Sequence, residues 1–269
     1  MKRLLRETLS DLIYRAIRLT NGRVSGLRIL MYHRVTDAHP SNRLCVPVAQ
    51  FTEQMRFLHE AGYQTVTLAQ AVQWAEGRTT RAPQSLVLTF DDGFEDNFRY
   101  AYPAMARYGF TGCFFVPSGF IEAGANGHAA EDRPMSWSQL SELLQHGHEV
   151  GAHSISHVKL TTVDATRMRR EVRGSKDALE QRLKQPIEFF CYPSGDHNEA
   201  VKQAVRESGY RGACTVQPGA NLPGQDPFAL TRTEISAFDS RWDFEKKLAG
   251  AYDWMHVAVQ TMKKLEARR

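Results

Sequence analysis

The feature that most constrains the fold is an alternation of short β-rich runs with amphipathic segments, which begins near residue 27. Strands that alternate with helices are typical of parallel sheets joined by crossover helices, closed as a barrel or left open. The β-rich runs span residues 27–32, 63–67, 85–90, 111–116, 148–153, 187–192, 210–216 and 229–235. Roughly eight strands in a chain of this size match a (β/α) barrel, so we predict an α/β fold with a distorted barrel of about seven to eight strands.

The segments between these runs carry the periodicity of helices that lie against a sheet. The clearest of them span residues 49–62, 136–147, 164–185 and 196–209. Several end in glycine, as helices often do. Residues 118–135 and 217–228 are interpreted as long loops. No linker rich in proline, glycine or serine divides the chain, so one domain is predicted over residues 25–269.

The N-terminal segment, residues 1–24, is predicted to be a basic amphipathic helix added to this domain. Its apolar side chains recur on one helical face: Leu5, Leu9, Leu12, Ile13, Ala16 and Ile17. Two alternatives use the same periodicity: the face rests on anionic lipid through residues 1–20, or it packs on the domain or on a second copy. Charges interrupt the segment too often for a secretion signal, and no stretch is long enough to span a bilayer. We therefore predict a cytoplasmic location, with peripheral contact to the inner membrane as the first alternative implies.

The composition is that of an ordinary globular protein: of 269 residues, 42% are hydrophobic and 24% are charged. The net charge is +4, but lysine and arginine are spread along the chain apart from its two ends, so no nucleic-acid partner is predicted. The four cysteines lie far apart, without metal-ligand or redox spacing, and are expected to be free thiols. The sequence does not indicate an oligomeric state.

Chemically reactive residues follow several of the predicted strands. Asp91 and Asp92 come directly after the third run, His33 follows the first, and "HSISH", from His153 to His157, follows the fifth. Because the carboxyl ends of parallel barrel strands meet at one face, we expect these side chains to converge there. The four-residue spacing also brings both imidazoles to one side if this loop winds into a helical turn.

Two adjacent carboxylates raise the question of what offsets their repulsion. Burial would drive one of them to protonate, unless a dication lies between one aspartate and the two histidines. Zinc commonly takes two histidines and one carboxylate in hydrolytic sites. The other aspartate would then act as a general base. The alternative is an exposed Asp-Asp-Gly turn beside unrelated histidines.

These residues resemble a known family. The segments "TFDDG" (89–93) and "HSISH" (153–157) are similar to the first two motifs of the polysaccharide deacetylases, the carbohydrate esterases with a NodB homology domain. The sequence that connects and follows them is also similar, so the resemblance spans about residues 28–235. It implies that residues 25–269 form a deacetylase catalytic domain.

The resemblance implies a role for each matching position. Asp91 corresponds to the catalytic base. The ligands of a divalent metal, usually Zn²⁺, correspond to Asp92, His153 and His157. The backbone N–H of Ser194 corresponds to the group that helps to hold the oxyanion.

Two departures from the family pattern bear on the mechanism. The third motif normally carries an arginine that orients the basic aspartate, and Cys191 stands in its place. Arg232 in the eighth run is a candidate substitute. The late leucine-x-histidine motif, which supplies the general acid, has no match in residues 229–235. Because the chain resembles the circularly permuted branch that modifies exopolysaccharides, in which an N-terminal histidine takes this role, His33 is the expected acid.

The resemblance therefore implies a metal-dependent hydrolase that removes the N-acetyl group of an N-acetylated hexosamine in a polysaccharide or glycan precursor and releases acetate. One alternative is a deacetylase of lipid-linked or nucleotide-linked amino sugars at the cytoplasmic membrane face. The other, suggested by the missing arginine, is a catalytically silent carbohydrate-binding member of a polysaccharide assembly.

Overall fold

The alternation of strands and helices is present in the structure, a computed structural model that describes residues 2–19, 26–80, 84–124 and 129–253. Its strands are β1 (Arg28–Tyr32), β2 (Arg34–Val35), β3 (Cys45–Val46), β4 (Gln64–Thr65), β5 (Ser85–Phe90), β6 (Gly112–Val116), β7 (Glu149–Ala152), β8 (Phe189–Cys191), β9 (Gly212–Cys214) and β10 (Thr233–Glu234). Its α-helices are α1 (Lys2–Leu19), α2 (Val48–Glu60), α3 (Leu68–Ala75), α4 (Tyr102–Ala106), α5 (Ser118–Ala123), α6 (Trp137–Gln145), α7 (Ala165–Leu183), α8 (Glu199–Glu207) and α9 (Arg241–Leu248). Every predicted β-rich run contains a strand, and each of the clearest amphipathic segments is a helix.

One parallel sheet forms the centre of the fold. Along it the strands follow the order β10, β1, β5, β6, β7, β8, β9, and β4 pairs with β5 outside this path. β1 lies along one edge of β5, whereas on the other edge β4 lies beside Ser85 and Leu86 and β6 begins beside Leu88. β4 and β6 therefore follow one another along the same edge, where the Thr111 N–H donates to the Thr65 hydroxyl at 2.8 Å.

The two ends of this sheet approach each other, which curves it into a barrel. β10 pairs with β1, and the segment just before β10 contacts β9 through a parallel bridge between Leu230 and Cys214. The bridge includes hydrogen bonds from Thr215 N–H to Leu230 O at 2.9 Å and from Leu230 N–H to Ala213 O at 3.0 Å. The predicted distorted (β/α) barrel is confirmed.

Alternate strand residues face the barrel interior, as the two-residue period of a strand requires. Along β5 the inward series is Val87, Thr89 and then Asp91. Val87 packs in a buried apolar cluster with Ile29 and Phe115. Leu86, Leu88 and Phe90 belong to a larger cluster that includes the surrounding helices. The interior is therefore apolar where the strands begin and polar at their carboxyl ends.

Helix α3, for which the sequence analysis gave no bounds, closes the amino-terminal end of the barrel. Its first amides, from Leu68 and Ala69, donate to the Glu149 carboxylate at 2.5 and 3.1 Å. Eight residues are too few to show a clear periodicity, but Thr67 and Gln70 form a capping box. This motif is the signal that could have revealed the helix.

The loop prediction for residues 118–135 was wrong at its start, where α5 occupies residues 118–123. Pro117 precedes this helix, and its first amides donate to backbone oxygens of the neighbouring loop after β7. β2 and β3 form a separate parallel pair that was also not predicted. Each of these strands has only two residues, which is too few to show an alternation of apolar and polar side chains.

Helix α1 packs on α9. The Tyr14 hydroxyl donates to Glu245 Oε2 at 2.9 Å, and the Tyr14 ring meets Trp242 edge to face with centroids 4.8 Å apart. Asp11 accepts hydrogen bonds from Trp242 Nε1 at 3.0 Å and from Lys246 Nζ at 2.9 Å. Packing on the domain, one of the two alternatives for this helix, therefore occurs.

The helix predicted for residues 1–24 is observed as α1, while residue 1 and residues 20–24 lie outside the described residues. Within the described ranges, no helix has both the length and the apolar character needed to cross a bilayer. The cytoplasmic location stays a prediction.

His148, just before β7, is a buried imidazole that favours its neutral form. Its Nδ1 accepts a hydrogen bond from Gly112 N–H at 3.1 Å, and the rings of Tyr102 and Phe114 pack against it. Burial lowers its pKa to about 4, and the nearby His146 adds to this effect. The unfolded chain, in contrast, binds a proton at this position below about pH 6.5.

We predict that the free energy of unfolding falls as the pH decreases from about 6.5 to about 4, because only the unfolded chain then binds this proton. His148 contributes at most about 3 kcal/mol to this fall. Asparagine can accept the same hydrogen bond without titrating, so His148→Asn should flatten the dependence measured by urea unfolding across this range. The exposed His59, changed to Asn, is the control and should keep the wild-type slope. An unchanged slope in His148→Asn would contradict the assignment.

Candidate active site

The reactive side chains predicted from the sequence meet at the carboxyl-terminal mouth of the barrel. Asp92 Oδ1 lies 3.2 Å from His157 Nε2 and 3.5 Å from His153 Nε2. The three potential ligand atoms all lie within 4.8 Å of one another. Asp91 precedes them at the end of β5, and His33 is near enough to act electrostatically on both aspartates.

The turn after β5 lets two adjacent carboxylates serve one site from different directions. Asp91 continues the inward series of the strand, and its N–H donates to Tyr32 O at 3.0 Å. Asp92 and Gly93 have φ values of 72° and 69°, in the left-handed region, so the chain turns sharply after Asp91. A Cβ on Gly93 would lie 2.9 Å from Val116 Cγ1, which explains why glycine stands here.

The loop from His153 to His157 does not form the helical turn that would bring both rings to one side through their four-residue spacing. Ser154 and His157 adopt the left-handed region, with φ of 62° and 56°. The Ser154 hydroxyl accepts a hydrogen bond from His157 N–H at 2.9 Å. The two imidazole rings consequently meet edge to face with centroids 4.7 Å apart. The convergence of the histidines was predicted correctly, but its local cause was not.

Glu171 of α7 holds this loop in place and was missed by the sequence analysis. Its Oε2 accepts hydrogen bonds from Ile155 N–H at 3.0 Å and Ser156 N–H at 2.9 Å, and its Oε1 accepts one from the Ser156 hydroxyl at 2.7 Å. Glu171 lies between the buried Met168 and Val172 on the inner face of α7. The sequence feature that could have revealed Glu171 is its position on the apolar face of a helix, because a buried acid needs hydrogen-bond partners.

Cys191 orients His153 through its backbone. His153 Nδ1 donates to Cys191 O at 2.7 Å, so Nε2 is the ring nitrogen that faces Asp92 and His157. Histidines that bind metals usually donate their other ring N–H in this way.

These donor atoms fit a divalent cation. Two imidazole nitrogens and one carboxylate oxygen are a set that zinc uses in hydrolytic sites. Burial opposes ionisation of Asp92, but hydrogen bonds from His153 and His157 outweigh it and hold the pKa of Asp92 below its usual range. The hydrogen bond with Asp92 also raises the pKa of His157. The carboxylate is therefore ionised, as a metal ligand must be.

Arg232 is the cation that holds Asp91, in place of the arginine that the family pattern carries at position 191. Two hydrogen bonds of 2.7 Å join Arg232 Nη1 and Nη2 to the two carboxylate oxygens of Asp91. The side chains of the pair are 0% and 3% exposed. Burial opposes ionisation of Asp91, but the guanidinium outweighs it and keeps the pKa of Asp91 below its usual range. Arg232, which the sequence offered as a candidate substitute for the missing arginine, therefore does bind Asp91 in the structure.

Cys191 contributes a second grouping of potential ligand atoms, together with Asp91 and His153. Both oxygens of Asp91 are already bound by Arg232. Burial also raises the pKa of the Cys191 thiol well above its usual value, so the sulfur stays protonated. A cation is better held by Asp92 and the two histidines.

His33 and Ser194 lie at the same end of the barrel, and their predicted roles stay predictions. Within the described residues, His33 Nδ1 and Asn97 Oδ1 are the buried side-chain atoms without a hydrogen-bond partner. The Asn97 amide donates to His33 O at 2.9 Å. Ser194 is exposed in the turn after β8, next to the buried Pro193, and has a φ of 56°.

The family of the chain follows from comparison with known proteins. A family model described as "Polysaccharide deacetylase" matches residues 78–213, which include both aspartates and both histidines of the site. The chain belongs to this family. It is accordingly a deacetylase, a hydrolase that acts on an amide bond.

Individual relatives agree with this placement. YxkH of Bacillus subtilis (strain 168), named as a polysaccharide deacetylase, is 32% identical over 210 residues, which are 78% of this chain and 71% of YxkH. The poly-β-1,6-N-acetyl-D-glucosamine N-deacetylase of Staphylococcus aureus (strain MSSA476) is 23% identical over 242 residues, 80% of this chain and 82% of that protein. The structure of Streptococcus pyogenes deacetylase PplD in complex with acetate has the same fold, with a TM-score of 0.76, 23% identity, and coverage of 84% of this chain and 99% of that one.

We predict that Arg232→Met lowers the free energy of unfolding by about 3–5 kcal/mol, because it leaves the buried Asp91 carboxylate without its counter-ion. Adding Asp91→Asn to this variant should cost less than the sum of the single changes, since the uncompensated charge is then absent. Urea unfolding of the single and double variants measures this coupling.

The matched control is Arg211→Met, which removes an exposed ion pair with Glu188 of the same 2.7 Å length. This change should cost about 1 kcal/mol or less. Equal losses at Arg211 and Arg232, or strict additivity with Asp91→Asn, would count against a structural role of the buried pair.

Proposed function

We propose that this chain is a metal-dependent N-deacetylase that hydrolyses the N-acetyl group of an N-acetylated hexosamine in a polysaccharide or glycan precursor. The observation that carries the proposal is the position of Asp91, ionised and fixed by Arg232, beside the ligand set of Asp92, His153 and His157. The similarity to poly-β-1,6-N-acetyl-D-glucosamine N-deacetylases supports an N-acetylated glycan as the substrate.

Asp92, His153 and His157 would hold the metal. Zn²⁺ suits this ligand set and would supply Lewis acidity at the mouth of the barrel. The chain fixes these ligands in advance. Glu171 holds the backbone of the histidine loop, and Cys191 O fixes the tautomer of His153. The ligand set also accepts cobalt or nickel, so its chemistry alone does not select zinc.

Asp91 is assigned as the general base. It removes a proton from water as the water oxygen adds to the carbonyl carbon of the acetamide. Each carboxylate oxygen has a second lone pair beyond the one that accepts from Arg232, so the ion pair does not block proton transfer. Arg232 is a positioning residue in this scheme, because it acts through Asp91.

The remaining steps use residues on the loops after β1 and β8. The Ser194 N–H donates to the oxyanion of the tetrahedral intermediate. His33 gives a proton to the sugar nitrogen as the carbon–nitrogen bond breaks, and an imidazole suits this task because it titrates near neutral pH. The products are acetate and a free amine on the sugar.

The catalytically silent alternative was motivated by Cys191 in place of the family arginine. The guanidinium of Arg232 now accounts for this departure, because it binds both oxygens of Asp91, the assigned base. The base and the complete metal-ligand set are thus preserved, which supports an active enzyme over a binding protein.

Acetate release from N-acetylglucosamine oligomers tests the activity. We expect release that stops on addition of a chelator and returns when Zn²⁺ is restored. A parallel assay with polymeric, lipid-linked and nucleotide-linked N-acetylhexosamines identifies the carrier. Sugar binding without acetate release from any of these substrates would instead establish a carbohydrate-binding protein.

Substitutions at the site should separate the base from the metal ligands. His157→Ala should lose both bound metal and acetate release, because it removes one of three ligands. Asp91→Asn should retain metal yet lose acetate release by about 100-fold or more, because it removes the base. Elemental analysis after dialysis and an acetate assay give the two readouts.

The control is His146→Ala, at an exposed histidine outside the site, which should change neither readout. If Asp91→Asn released acetate at the wild-type rate, Asp91 would not be the general base. If His157→Ala bound as much metal as the wild type, His157 would not be a metal ligand.

A further inference from the structure

Helix α1 has two different faces. Ser10 and Tyr14 are buried against the domain, whereas Leu9, Leu12 and Leu19 are 41%, 60% and 87% exposed. Leu9 and Leu12 belong to the apolar stripe for which the sequence left open contact with anionic lipid and packing on the domain or on a second copy. Packing on α9 therefore leaves part of the apolar surface of α1 facing away from the domain.

The exposed residues form one continuous sector of the helix. With 100° of rotation per residue, Leu9, Leu12 and Leu19 fall within about 80° of one another, and the exposed Ala16 falls between them. Ser10 and Tyr14 fall on roughly the opposite side of the axis. The leucine face and the domain-binding face are therefore separate, so both can be occupied at once.

We propose that the leucine face of α1, formed by Leu9, Leu12, Ala16 and Leu19, docks on the surface of an anionic lipid bilayer. The charges of the helix favour this occupant. Its basic residues in the sequence are Lys2, Arg3, Arg6, Arg15 and Arg18, against the acids Glu7 and Asp11. Asp11 is bound by Lys246, and Arg15 is exposed beside the leucines. Leucines flanked by cations match the apolar and the anionic layers of such a surface.

The same charges disfavour a second copy on this face. A two-fold contact between two α1 helices would place like charges opposite one another, which costs association energy. A helix of 18 residues is about 27 Å long and lies along a surface when only one face is apolar. Through Tyr14, Asp11 and their partners on α9, such a helix would hold the catalytic domain at the membrane.

Vesicle sedimentation with the full chain tests this docking. We expect the protein to sediment with vesicles of phosphatidylcholine and phosphatidylglycerol in equal parts, more weakly with phosphatidylcholine alone, and less at high salt. The variant Leu9→Ser/Leu12→Ser/Leu19→Ser should bind the anionic vesicles about tenfold more weakly or worse, because it removes the inserted apolar surface. Leu12→Ser alone should change binding in the same direction.

The matched control is Leu222→Ser, at a leucine that is 47% exposed but lies outside α1. This variant should bind as the wild type does, and circular dichroism should show all variants folded. Absence of wild-type binding to the anionic vesicles, or unchanged binding of the triple variant, overturns the proposal. A concentration-dependent dimer that the same leucine substitutions abolish would identify a second copy as the occupant and overturn it too.

Discussion

The buried ion pair between Asp91 and Arg232 determines how the mouth of the barrel is arranged. Burying two charges costs several kcal/mol per ion unless their hydrogen-bonding groups are satisfied. A guanidinium has five N–H donors, and Arg232 directs them at both oxygens of Asp91, at Thr215 O, at the Thr89 hydroxyl and at Cys191 Sγ. These acceptors come from β5, β8 and the chain after β9. One side chain therefore links separate parts of the barrel wall while it positions a carboxylate.

The sequence predicted the barrel well because its strands are buried on both faces and stand out as apolar runs between amphipathic helices. It did not predict elements that are too short to repeat their period clearly, such as β2, β3 and α5. It also did not predict the order of the strands. β10 takes its place between β1 and β9 because Thr233 pairs with Leu30 and Leu230 bridges to Cys214, and these long-range contacts have no local signature.

The same distinction applies to the site. Asp91, Asp92, His153 and His157 could be found because each follows an apolar run within a short motif. The partners that hold them are of another kind: Arg232 lies 141 positions from Asp91, and its contact exists only because the barrel closes. Glu171 reaches the histidine loop from a helix in a similar way. The local shape of that loop also depends on the left-handed backbone conformation of Ser154 and His157. Serine and histidine in a sequence do not predict that conformation.

Two adjacent carboxylates can coexist here because each has its own counter-charge. The left-handed turn at Asp92 separates their directions: Asp91 faces the interior and Arg232, while Asp92 faces the rim and the two histidines. The charge of Asp91 is therefore set by a residue of the fold and needs no cation at the rim. An arginine at position 191 would reach Asp91 from β8, whereas Arg232 reaches it from the chain before β10. Because the guanidinium already fills this space, position 191 needs only a small side chain, and the Cys191 thiol lies 3.0 Å from Arg232 Nη2.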